Sequence, residues 1–162
     1  MEMVFDSSTL ILLAKIEILN IVSEHIHIIV PEKVRSECTG KDLFDARLIS
    51  SLIKDDRIKV AGVTKRETVE NLCRDFKIHI GEAEALALRK KLPLAVDDLP
   101  TIKACKILNH KFTTAIHFLI NITENRKINK DMAAVKLEKL SLYGRYSKRI
   151  LDDAGMRLKG GK

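Results

Sequence analysis

Met3-Val4-Phe5-Asp6-Ser7-Ser8-Thr9-Leu10-Ile11-Leu12-Leu13-Ala14 is the stretch from which the fold is read. Met3-Val4-Phe5 is a short apolar run with strand-forming residues, and Asp6 ends it. Ser7-Ser8-Thr9 then open a helix that continues through Leu10, Ile11, Leu13 and Ala14. A strand that passes directly into a helix, with an acid at the junction, is the start of a parallel sheet covered by helices.

The alternation continues along the chain. A second helical stretch around Ile18 to Val22 leads to a strand over Ile26 to Val30. Pro31 suits a helix start, where its missing N–H is not needed, and that helix carries Val34 and ends near Cys38. Leu43 to Ile53 is helical, Ile58-Lys59-Val60 is a third strand, and Thr64 to Phe76 is helical. Gly81-Glu82 opens a helix carrying Ala85, Leu86 and Leu88. Leu94-Ala95-Val96 is a fourth strand, stopped by Asp97-Asp98. Thr101 to Leu108 is helical, Lys111-Phe112 is a candidate fifth strand, and Thr114 to Ile120 is helical again. Asn129 to Leu142 and Ser147 to Leu158 form a helical C-terminal extension. Residues 1–125 are read as the core of one domain and residues 126–162 as a basic extension packed on it.

Composition bounds the function classes. With 46% hydrophobic and 31% charged residues and no Trp, the chain builds a core from Leu, Ile, Val and Ala. No apolar run approaches the roughly 20 residues that span a bilayer, so no membrane role is expected. Cys38, Cys73 and Cys105 are scattered and form no CxxC pair, which argues against structural zinc or a disulfide framework and for a reducing cytoplasm. No GxxxxGK[ST], GxGxxG, HExxH or GxSxG occurs, so nucleotide-loop, dinucleotide, zinc-protease and serine-hydrolase readings lack support. The net charge of +7 lies entirely from Arg126 onward, where 11 Lys and Arg face 4 Asp and Glu. A localised basic segment of that kind favours a polyanion, nucleic acid first.

In open parallel sheets the functional crevice lies beyond the carboxyl ends of the strands. Asp6 follows the first strand and Asp97 and Asp98 follow the fourth. Glu37 lies on the helix after the second strand, and Glu82, with Glu84 two positions on, opens the helix feeding the fourth. Taken singly, each acid has a structural use as a helix cap or as a first-turn charge. Taken together, carboxylates gathered at one sheet edge repel one another unless a cation sits between them. Hard oxygen ligands suit Mg²⁺ or Mn²⁺, and such a metal polarises a phosphodiester and makes a water nucleophilic at neutral pH.

Five motifs then carry a resemblance: VFDSSTLILLAKIEIL (Val4 to Leu19), IIVPEKVRSE (Ile28 to Glu37), GEAEALAL (Gly81 to Leu88), LAVDD (Leu94 to Asp98) and FTTAIHFL (Phe112 to Leu119). In that order they resemble a PIN domain, in particular the prokaryotic branch related to VapC-type toxins, and the tail LEKLSLYGRYSKRILDDAG is similar to one common there. The resemblance implies a three-layer α/β/α sandwich with a mainly parallel sheet and a Mg²⁺- or Mn²⁺-dependent ribonuclease. It implies Asp6, Glu37 and Glu82 (or Glu84) as catalytic acids, Asp97 or Asp98 as the fourth, and Thr114 as a hydroxyl near the site. Many PIN domains carry Asp where this chain has Glu82, so its carboxylate reaches a methylene further. RNA as substrate, an antitoxin protein as partner and a homodimer follow by the same analogy.

Two other functions compete. A PIN-fold module that grips RNA through its basic tail without cutting it would share all these features. A receiver-like regulatory domain also holds Mg²⁺ at strand ends, but it needs an acid after the third strand, and Ile58-Lys59-Val60-Ala61-Gly62 offers none.

Overall fold

The computed structural model describes residues 1–160. Its centre is a five-stranded sheet, parallel throughout, formed by β1 (Glu2–Phe5), β2 (His27–Pro31), β3 (Ile58–Ala61), β4 (Leu94–Ala95) and β5 (Phe112–Thr113), in the order β3-β2-β1-β4-β5. Registers such as Val4 against Ile29 on one side and Leu94 on the other put β1 in the middle. The strand order therefore reverses between β1 and β4, the point at which open parallel sheets place a functional crevice beyond their carboxyl ends.

Ten helices flank the sheet among the described residues. These are α1 (Ser7–Lys15), α2 (Leu19–His25), α3 (Glu32–Thr39), α4 (Phe44–Lys54), α5 (Arg66–Phe76), α6 (Ile80–Leu88), α7 (Leu99–Ile107), α8 (Ala115–Glu124), α9 (Lys130–Tyr143) and α10 (Lys148–Leu158). The result is the helix-covered parallel sheet that the alternating pattern predicts, in the three-layer α/β/α architecture that the resemblance implies. The candidate fifth strand is real but displaced by one residue, to Phe112–Thr113, because its ladder to Leu94 and Ala95 selects that register.

The two faces of the sheet bury separate apolar clusters, which is why β1 is apolar on both sides. Phe5, Leu10, Leu13, Ile28 and Leu119 belong to one, and Val4, Ala83, Leu86, Leu94 and Ala104 to the other. Phe5 stacks on Phe118 with ring centroids 5.4 Å apart, inside the range of favourable aromatic pairs.

The C-terminal helices join the first of these clusters. Ala133 and Leu140 of α9 and Ala154 and Leu158 of α10 are buried with residues of α1 and α8. One polar clamp reinforces the packing: Glu17, in the left-handed turn after α1, accepts from Lys136 Nζ at 2.8 Å and Lys139 Nζ at 2.7 Å. These two hydrogen bonds hold the Glu17 carboxyl down at about 2.

Candidate active site at the carboxyl edge of the sheet

Asp6 leaves β1 in extended conformation and caps α1, as its place in the sequence predicts. Its side chain is fully buried. Ser8 binds it twice, through the backbone N–H at 3.3 Å and the hydroxyl at 2.6 Å, and Ser7 adds a hydroxyl at 3.4 Å. Burial pushes the Asp6 carboxyl up to about 6 against the pull of those donors, and the charge of Glu82 pushes it further.

Glu82 sits in the first turn of α6. Its Oε2 is buried and has no hydrogen-bond partner among the described residues. An unpaired buried carboxylate oxygen costs free energy that a protein ordinarily avoids. Burial raises the Glu82 carboxyl, with smaller upward contributions from Asp98 and Glu37. Glu84 is turned elsewhere: its Oε2 accepts the backbone N–H of Lys33, tying α6 to the start of α3.

Glu37 reaches the site by a route the sequence does not announce. A Cβ on Gly81 would lie 2.7 Å from Glu37 Oε2, so the carboxylate rests against the bare backbone of that glycine, one residue before Glu82. Lys33 flanks it one helical turn back, with Nζ 3.9 Å from Oε1.

The two aspartates after β4 have different jobs. Asp97 has both oxygens bonded: Oδ2 takes the Thr9 hydroxyl at 2.6 Å and the Ala115 N–H at 3.0 Å, and Oδ1 takes the Tyr146 hydroxyl. It thereby joins β4, α1, α8 and the turn before α10. Asp98 caps α7, with Oδ2 accepting the N–H (3.0 Å) and hydroxyl (2.7 Å) of Thr101, while its charge acts on Glu82. Ser8 binds the two halves together, since its hydroxyl donates to Asp6 and accepts the Asp97 N–H at 3.0 Å.

Thr114, also buried, pairs with His117 Nδ1 at 2.8 Å and borders the Asp97–Tyr146 contact. Tyr146 is the residue that sequence reasoning missed. Its hydroxyl donates to Asp97 and accepts the Ile116 N–H at 3.3 Å, and burial followed by the Asp97 charge raises its ionisation well above the usual phenol range. Gly144 makes room for the ring, because a Cβ there would meet Tyr146 Cε2 at 2.7 Å. The pairing spans 49 positions, and nothing local to Tyr146 signals it.

Among the described residues no three acidic, His or Cys side chains come together at metal-ligand spacing. The cause is the division of labour just described. Asp97 is saturated by donors, Asp98 spends one oxygen on its cap, and Glu37 rests against the backbone of Gly81. The donor chemistry nevertheless fits a hard cation: the orphaned Glu82 Oε2, the buried Asp6 and the free oxygen of Asp98 are all carboxylate oxygens.

Fold and edge together define an α/β protein with buried carboxylates beyond the carboxyl ends of its parallel strands, at the point where the strand order reverses. Residues 2–157 match the PIN domain, and the chain belongs to the PIN-domain family. PIN domains are generally nucleases, and they generally use divalent metal ions. No curated protein and no solved structure matches the chain. No helix among the described residues is long and apolar enough to cross a membrane.

Proposed function

We propose that this chain is an endoribonuclease of the prokaryotic PIN branch related to VapC-type toxins, hydrolysing RNA phosphodiesters with Mg²⁺ or Mn²⁺. The observation that carries the reading is the pair Asp6 and Glu82. One is a fully buried carboxyl held up to about 6, and the other has a buried oxygen without a partner. Two acids that burial and mutual repulsion make costly are what a divalent cation relieves.

In this reading Asp6, Glu82 and Asp98 hold the metal. When bound, it supplies neutralisation of a phosphate oxygen and a water acidic enough to attack at neutral pH. The chain's own residues do the rest. Ser8 fixes the Asp6 carboxylate from one side, and the Thr101 cap fixes Asp98 from the other. Glu37, the exposed member of the set, takes the proton from the attacking water. Asp97 and Thr114 act as positioning residues through Thr9, His117 and Tyr146. An antitoxin covering the acidic edge, and pairing into a homodimer, belong to the same reading.

The test is incubation with mixed single-stranded RNA in Mn²⁺ and in EDTA, beside Asp6→Asn. Cleavage in Mn²⁺ that disappears in EDTA and in the variant is the expected result. RNA bound but left whole in every metal would make the chain a binding module instead.

A further inference from the structure

An acidic metal edge repels the substrate it must cut, so the backbone has to be held by cations nearby. The C-terminal extension carries the chain's whole basic excess, but much of that charge is spent internally. Lys136 and Lys139 are committed to Glu17, Arg157 makes two hydrogen bonds to Glu124, and Lys130 donates to the Lys159 carbonyl.

What remains is unevenly placed. Arg145, Lys148 and Arg149 stand together where α9 turns into α10, all three exposed and none in an ion pair among the described residues. The acids nearest along α10 are Asp152 and Asp153, one turn further on, and they pair with neither Lys148 nor Arg149. Lys148 and Arg149 also occupy the first turn of α10, which contains no acid. A cation there opposes the helix dipole, and a basic residue four positions before an acid is the less favourable order. Helix stability therefore does not account for their placement.

Tyr146 lies inside this basic run, and its hydroxyl is bonded to Asp97 at the end of β4. The Ile116 N–H holds the same oxygen, and Gly144 leaves the space the ring occupies. The turn that carries the cations is thus fastened through Tyr146 to Asp97, just beyond the carboxyl end of β4, while the rest of the extension lies against α1 and α8.

We propose that the α9–α10 turn is the clamp for the substrate's phosphate backbone, with Arg145, Lys148 and Arg149 as its phosphate contacts and the Tyr146–Asp97 bond as its anchor. The clamp rests on the ribonuclease reading and names the residues that deliver RNA to that edge.

The experiment measures binding of a labelled mixed-sequence single-stranded RNA by fluorescence anisotropy across a salt series, in the Asp6→Asn background so that the RNA stays whole. Arg145→Gln/Lys148→Gln/Arg149→Gln is compared with Lys90→Gln/Lys91→Gln/Lys111→Gln, which removes equal charge from the amino ends of β4 and β5. Each single-strand phosphate contact adds about 0.7 to the slope of log K against log salt. The clamp variant should lower that slope by about 2 and weaken binding roughly 100-fold at ~0.1 M salt, with little change in the control. An unchanged slope in the clamp variant, or a larger loss in the control, would overturn the clamp while metal-dependent cleavage by the wild-type chain kept the nuclease reading intact. Absence of RNA binding by the Asp6→Asn parent would overturn the clamp, and absence of metal-dependent cleavage by the wild-type chain as well would remove both.

Discussion

The most demanding prediction concerns Asp6→Asn in the absence of metal, where the nuclease should become more stable as it becomes inactive. Burial raises the Asp6 carboxyl from an ordinary 3.8 to about 6. A carboxyl raised in the folded state contributes stability that is complete below the unfolded value and is lost as pH rises through the folded one. At ~1.36 kcal/mol per pH unit, that loss reaches about 1.5 kcal/mol near pH 5 and about 3 kcal/mol near pH 7.5. Asn keeps the cap oxygen for Ser8 and carries no charge, but it buries an amide N–H at a cost of about 1–2 kcal/mol that does not vary with pH. The variant should therefore be near neutral around pH 5 and more stable by about 1–2 kcal/mol around pH 7.5, or roughly 2–8 °C in Tm. The assay is thermal or urea unfolding of both proteins in EDTA across this range. A stability gap that fails to widen by about 1.5 kcal/mol from about pH 5 to about pH 7.5 would refute the argument, because no pH-independent effect of the amide can mimic it. Adding Mn²⁺ should then raise the Tm of the wild-type protein well above any change in the variant.

Other perturbations separate packing from chemistry. Gly81→Ala improves helix propensity by up to about 1 kcal/mol in α6 while pushing the flexible Glu37 carboxylate off its seat, so cleavage should fall with the Tm kept or raised. Full activity in that variant would exclude Glu37 from the reaction. Tyr146→Phe removes one donor from Asp97 and one acceptor from Ile116, and should cost about 1–3 kcal/mol in urea unfolding. It should also loosen RNA binding, which Asp97→Asn, keeping the cations but weakening the same anchor, should reproduce. Glu17→Gln frees Lys136 and Lys139. Because Glu17 is half exposed, the loss should be no more than about 1 kcal/mol, shrinking in high salt and vanishing as pH falls through about 2.

Most of the architecture was legible in the residue order. The strands and helices begin within a residue or two of where apolar runs, Pro31, the capping acids and the hydroxyls after Asp6 place them, because those signals act over three or four residues, the reach of a strand alternation or a helix turn. The position of Asp6 at the end of the first strand, and the confinement of the basic excess to the tail, were also plain from sequence, whereas the central place of that strand came from the sheet order. The pairing of Asp97 with Tyr146, the seat of Glu37 on Gly81 and the orphaned oxygen of Glu82 were not. Asp97 and Asp98 are adjacent and chemically identical. Only the approach of Thr9, Ala115 and Tyr146 from three distant segments saturates one and leaves the other an oxygen free. In the same way, sequence counts the tail's cations, but the fold decides which are spent on Glu17 and Glu124 and which stay unpaired among the described residues. The physical reason is the same in each case: local hydrogen bonding selects the elements, whereas the partners of a side chain are set by packing between elements far apart in the chain.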